Sequence, residues 1–245
     1  MASNISELLG QEAPITSIAE DKLKRYVVSN LLLKHIENTS PSYSEVIAIR
    51  GAWGSGKSSI LNLAEDSNQS NEIKILKFNP WYFHSIENII QQYFETLAKF
   101  LEKNGQDKKS VPAKLRDYGQ RLARINTSGI EVLVGGRAAW FLRLFQKSIR
   151  KEESLETIKN GLKRDISKLN YKIAVFIDDL DRLSKDEILI VFKLVKLLAD
   201  FENITYVVAI DFNQVNSLLS LNSNDASKYL EKIFSSIIEV PELPP

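Results

Sequence analysis

The chain of 245 residues contains no cysteine. Disulfides, thiolate-held metals and cysteine nucleophiles are therefore excluded, and the composition fits a reducing cytoplasm. Histidine is nearly as scarce. His35 and His84 have no metal-ligand spacing and no evident partner, so no Ser/His/Asp or Cys/His constellation can be built from them. Long apolar runs are missing too. No stretch reaches the roughly 18 residues needed to span a bilayer, and the opening MASNISELLG lacks the basic-then-apolar order of a secretory signal. The expectation is a cytoplasmic protein for which membrane spanning is not favoured.

Charge of one sign is not lacking, but it is unevenly placed. The net charge is +1. Residues 103–151 nevertheless hold twelve Lys or Arg against Asp107, Asp117 and Glu131, while the rest holds 20 basic against 28 acidic residues. Such a separation predicts that the segment meets an acidic partner, either nucleic acid or protein. On a helical wheel, Arg143, Lys147, Arg150 and Lys151 gather on one side of residues 137–151, opposite Phe141, Leu142, Phe145 and Ile149. Three readings fit that pattern: a helix packed on the core with a solvated basic face, a nucleic-acid or acidic-protein site, or a helix lying on an anionic membrane surface.

The most informative stretch is Gly51-Ala-Trp-Gly-Ser-Gly-Lys-Ser58, which fits G-x-x-x-x-G-K-[ST]. An apolar run, Val46–Arg50, precedes it, and a helical pattern beginning at Ser59 follows it. Strand, loop and helix together make the match strong. The expected phosphate cradle is Gly51, Ala52, Trp53, Gly54, Ser55, Gly56, Lys57, Ser58 and Ser59. Glycines let backbone N–H groups approach phosphate oxygens. Lys57 is placed for the β- and γ-phosphates, and the Ser58 hydroxyl for Mg²⁺.

Five apolar runs read as strands: Val46–Arg50, Ile73–Phe78, Tyr171–Ile177, Ile204–Ile210 and Ser236–Val240. Continuous rather than alternating hydrophobicity suits a parallel sheet covered on both faces. Helical spacing appears over 86–101, over Leu189–Phe201 with Lys193 and Lys196 on its open face, and over Tyr229–Phe234. The fold class expected is α/β, a three-layer P-loop core with a mostly parallel five-stranded sheet. Residues 1–101 and 171–245 would form the core. Residues 102–170, rich in Lys, Arg, Gln and Asn, would be a mainly helical insertion between the second and third strands.

The second half of the site is the apolar strand Lys172–Ile177, which ends in Asp178-Asp179. A triphosphatase needs one carboxylate for the metal shell and one for the attacking water. Asp178 is assigned to the metal and Asp179, with Lys57, to catalysis. An acid directly after the metal-binding Asp suits enzymes with an extra strand between loop strand and acidic strand. Ile204–Ile210 is that strand here, which predicts the order 5-1-4-3-2. Asp211 is either a γ-phosphate sensor or, with Gln214, a helix capping box. Arg182 either balances the acidic cluster or reaches a phosphate. Phe78 and Trp81 are either packing or ligand contacts. Ser184-Lys185-Asp186-Glu187 lacks the spacing of a guanine-reading [NT]-K-x-D string, so ATP is favoured over GTP.

Four stretches together resemble the KAP family of P-loop NTPases: GAWGSGKSS (51–59), FNPWYF (78–83), FIDDLDR (176–182) and YLEKIF leading into IIEVPELPP (229–245). PITSIAEDKLKR (14–25) is similar to that family's lead-in. The resemblance implies an additional-strand ATPase with ATP and Mg²⁺ as cofactors, often bacterial. Members are tied to phage exclusion and, in animals, to membrane signalling scaffolds. Many carry transmembrane helices between loop and acidic strand, where this chain has its basic segment, and most continue past the last strand. The chain thus reads as an N-terminal portion of a longer protein. The leading function is a Mg²⁺-dependent ATP-hydrolysing switch, with anti-phage defence as its setting and homo-oligomerisation open. The alternatives are a nucleotide-binding interaction module with little turnover and a nucleic-acid-coupled ATPase.

Overall fold

β-Branched and aliphatic runs become central strands where helices can cover both of their faces, and this chain has three such runs. The computed structural model describes residues 13–40, 44–105, 110–127, 153–219 and 229–241. Its strands are β1 (Glu45–Arg50), β2 (Ile73–Phe78), β3 (Lys172–Ile177), β4 (Ile204–Ile210) and β5 (Ser236–Glu239). All pairings are parallel and the order is β2-β3-β4-β1-β5. This is the expected order, with β4 inserted between the loop strand and the acidic strand.

Burial follows position in the sheet. β4 is buried throughout, β1 and β3 at all but one residue each, whereas edge strands β2 and β5 contain exposed positions. Successive side chains point to opposite faces, which divides the core in two. Ile47, Ile49, Ala174, Phe176, Val207 and Ala209 face helices α1 (Tyr26–Asn38) and α2 (Lys57–Ser67). Val46, Ala48, Val175, Ile177, Tyr206 and Val208 face α3 (Ile86–Lys103), α6 (Lys185–Leu198) and α7 (Phe212–Leu219).

Helices α4 (Ser110–Thr127) and α5 (Glu153–Ile166) lie between β2 and β3 in sequence. Their Leu115, Tyr118, Leu122, Leu155 and Leu162 belong to the same apolar cluster as the sheet. A Cβ built on Gly119 would lie 2.7 Å from Phe94 Cβ, so α4 approaches α3 closely. Arg116 bridges Glu95 and Glu102 of α3 at 2.6 and 2.8 Å. Lys114 pairs with Asp165 and Arg121 with Asp117, so three basic side chains of α4 are engaged internally. The amphipathic pattern expected over 137–151 lies outside the described residues.

Two expectations about α6 are corrected. The helix begins at Lys185, before Leu189, because Ser184 and Glu187 form a reciprocal capping box: the Ser184 N–H donates to Glu187 Oε2 at 2.8 Å. The string weighed for guanine reading is thus a helix start. Lys193 is not on an open face; it is buried, while Lys196 is exposed. The Tyr229–Phe234 segment packs on this helix, with Phe192 against both Tyr229 and Phe234. That segment is helical only through Glu231 among the described residues, and then turns into β5.

Candidate functional site

The phosphate loop leaves β1 where that strand passes between β4 and β5. The Gly51 N–H donates to the Ile210 carbonyl at 3.2 Å, and the Val240 N–H to the Arg50 carbonyl at 2.8 Å. A Cβ on Gly51 would meet Ser55 Oγ at 2.4 Å and Val240 Cβ at 3.0 Å. Gly56 precedes α2 with φ of 93°, a left-handed backbone that favours glycine. Lys57 is buried, and its Nζ donates to the Gly51 and Ala52 carbonyls at 3.1 and 3.0 Å. Its ammonium is therefore held inside the loop, at the N-terminus of α2, where free N–H groups and the helix dipole favour an anion. Ser59 Oγ accepts the Ile15 N–H at 3.3 Å. Trp53 projects outward, 75% exposed.

Parallel pairing carries the carboxylates of β3 to the same sheet end as the loop. The Ser58 hydroxyl is close enough to the Asp178 carboxylate to favour its charged form. The Asp179 N–H donates to Asp178 Oδ1 at 2.8 Å. Burial raises the Asp178 carboxyl above the usual range; the Ser58 hydroxyl and the Asp179 N–H oppose the rise, and the nearby charges of Asp179 and Asp181 add to it. Asp179 has φ of 57°, a left-handed conformation that is strained for a residue with a side chain.

Both oxygens of Asp179 are engaged. Asn79 Nδ2 donates to Oδ2 at 2.6 Å, and Arg182 Nε pairs with Oδ1 at 2.9 Å. Asn79 Oδ1 accepts the Trp81 N–H at 3.0 Å, which fixes the amide so that its nitrogen faces the carboxylate. The Arg182 guanidinium stacks over the Trp81 ring at 4.7 Å. FNPW and DDLDR, remote in sequence, thus make one cluster. Phe78 is packed edge-on against Tyr93 in the core, whereas Trp81 is partly exposed and meets Arg182.

Asp211 does two things. Its Oδ1 accepts the Asn213 and Gln214 N–H groups at 2.9 and 3.3 Å, capping α7, and Oδ2 accepts the Trp53 N–H at 3.1 Å. Gln214 does not complete a capping box; its amide donates to the Asp181 carbonyl at 2.8 Å. Asp211 therefore links the loop to the helix after β4. His35 is engaged structurally, 2.9 Å from Glu45. Sequence reasoning missed Asn79, because nothing local marks a side chain that caps its own turn and also reaches another strand.

The donor set suits the ligands that the motifs imply. Ser58 and Asp178 present hard oxygens near one another, the kind of pair that holds Mg²⁺ with few protein ligands. The loop supplies glycine backbone and a lysine for phosphates. Among the described residues no helix is long and apolar enough to cross a membrane.

Comparison with known proteins agrees with this geometry. The phage T7 exclusion protein of Escherichia coli (strain K12) is 27% identical over 95% of this chain. The chain spans 35% of that relative's length. The model of the KAP family P-loop domain matches residues 25–244. Since that match runs from the start of α1 through the loop, Asn79 and both carboxylates to the segment after β5, the chain belongs to the KAP family of P-loop domains.

Proposed function

We propose that this domain binds Mg·ATP and hydrolyses it as a regulated switch, in a setting of defence against phage. The observation that carries the reading is the meeting of loop and acidic strand end, where the Ser58 hydroxyl is close enough to Asp178 to favour its charged form. Bound Mg²⁺ would neutralise phosphate charge and polarise the terminal phosphoryl group. Ser58 and Asp178 would hold it, Lys57 would face the β- and γ-phosphates, and Asp179 would orient and deprotonate water. Adenine is the preferred base, because the chain has no guanine-reading [NT]-K-x-D string. The name of the exclusion protein supports the phage setting.

One observation favours low turnover by the isolated domain. With one oxygen taken by Asn79 and the other by Arg182, the Asp179 carboxylate is turned toward these two donors, so it would orient water only once one of those contacts is released. Phosphate release and nucleotide binding test both readings. Lys57→Ala should lose Mg·ATP binding and turnover. Asp179→Asn should bind but turn over slower by about 100-fold or more. Asn79→Ala should raise basal turnover if the contact restrains the base. Wild-type affinity and turnover in Lys57→Ala would remove the site assignment, and displacement of ATP by equimolar GTP would remove the adenine preference.

A further inference from the structure

The Asp179 carboxylate can act on water only if it is placed relative to phosphates held on another strand. β1 carries the loop, β3 carries Asp179, and β4 stands between them. Pairing fixes the strands but not the segments that leave their ends, so a link across those ends is needed. The first turn of α7, which leaves β4, supplies it. Asp211 accepts the Trp53 N–H of the loop and caps α7 through the Asn213 and Gln214 N–H groups. Gln214 reaches the other way, and its side-chain amide donates to the Asp181 carbonyl at 2.8 Å. Buried Phe212, Val215 and Leu219 seat the helix in the core, and Lys185 Nζ donates to the Leu219 carbonyl at its far end.

Asp181 lies in the middle of the short turn Leu180–Arg182, which begins directly after Asp179. The Arg182 N–H donates to the Asp179 carbonyl at 3.2 Å and closes the turn, while Leu180 is buried. A left-handed Asp179 persists only where its surroundings over-determine it. Gln214 adds to them by tying the backbone of that turn to an element outside it. We propose that Gln214 is a positioning residue. By pinning the Asp181 carbonyl to α7, it keeps the Asp179 backbone aimed at water beside a phosphate held in the loop. The inference rests on the hydrolysis reading above and deepens it. Gln214 differs in kind from Asn79 and Arg182. Those two hold the carboxylate oxygens, and one must let go for turnover; Gln214 holds the backbone and must stay. Losing Asn79 frees the base, whereas losing Gln214 misdirects it.

Turnover, Mg·ATP titration and backbone amide exchange of the whole domain test this, using wild type, Gln214→Leu, Gln214→Lys and Asn79→Ala. The Leu variant keeps the bulk and removes the donor. Its kcat should fall about 10- to 100-fold, the cost of a misplaced catalytic group, while the Mg·ATP dissociation constant stays within about twofold. Lys is long enough to donate to the same carbonyl and should recover most of the loss. In an Asp179→Asn background the Leu substitution should change kcat by less than about twofold, because it acts through that carboxylate. The Arg182 amide should exchange about 10-fold faster or more in Gln214→Leu, and at the wild-type rate in Asn79→Ala. A raised kcat in Gln214→Leu would make the contact one more restraint and overturn the proposal. An equal loss in the Asp179→Asn background, the mark of general structural damage, would overturn it too. Unchanged Arg182 exchange with an active wild type would bring down the positioning role alone. A wild type that binds Mg·ATP but hydrolyses none would instead bring down the hydrolysis reading, and this inference with it.

Discussion

Gly51 and Gly54 stand three residues apart in one loop, yet different physics requires each of them. Gly54 has φ of 77° with open space where a Cβ would go, so Gly54→Ala costs only backbone strain, about 1 kcal/mol. Gly51 is crowded instead: its Cβ would press on Ser55 Oγ and on the branch point of Val240. Gly51→Ala should therefore cost about 1–3 kcal/mol by overpacking and push the loop away from β5. The expected result is a larger fall in melting temperature and in nucleotide affinity for Gly51→Ala than for Gly54→Ala. Equal effects would show that the Val240 contact does not constrain the loop. The loop's existence was legible from eight consecutive residues. The Val240 contact was not, because it depends on which strand pairs beside β1, and no local pattern encodes that.

At the scale of the element, α6 carries the most consequential departure from its periodicity. Burial pushes the Lys193 ammonium down to about 8, against an opposing attraction from Asp186. The unfolded chain holds that proton up to about 10.4, so it binds more protons than the folded state between those values. Stability should rise with pH across that window, as the buried group is allowed to become neutral. Lys193→Met should stabilise the domain at pH 7 by about 1–3 kcal/mol, and the gain should shrink by pH 10. Urea unfolding at the two pH values measures it; a destabilised Met variant at pH 7 would show that the amine's contacts outweigh its desolvation. Strands were read well because a doubly covered parallel sheet writes itself as unbroken Val, Ile and Ala. The faces of α6 were misread because periodicity reports one packing surface. This helix has two, against α3 and against the Tyr229–Phe234 segment. The Asn79–Asp179–Arg182 cluster was half legible: its two strings stood out, but their contact spans 100 positions.

For the whole molecule, α4 and α5 share one apolar cluster with the sheet, so these two helices should not unfold separately from it. Gly119→Leu, which forces α4 off Phe94, should destabilise the domain by about 1–3 kcal/mol and lower the midpoint of a single cooperative transition. Two resolved transitions would show instead that these helices form an independent unit. The sheet order has another outcome, which concerns the time at which the site can come into being. β1 carries the phosphate loop, yet both of its neighbours, β4 and β5, are formed by residues 204–210 and 236–239. A chain emerging from the ribosome at roughly 5–20 residues per second exposes that apolar strand, unpaired on both edges, until almost the entire domain has been made. The nucleotide site is thus encoded early and assembled last, and its leading strand is the segment with the longest need of protection during synthesis.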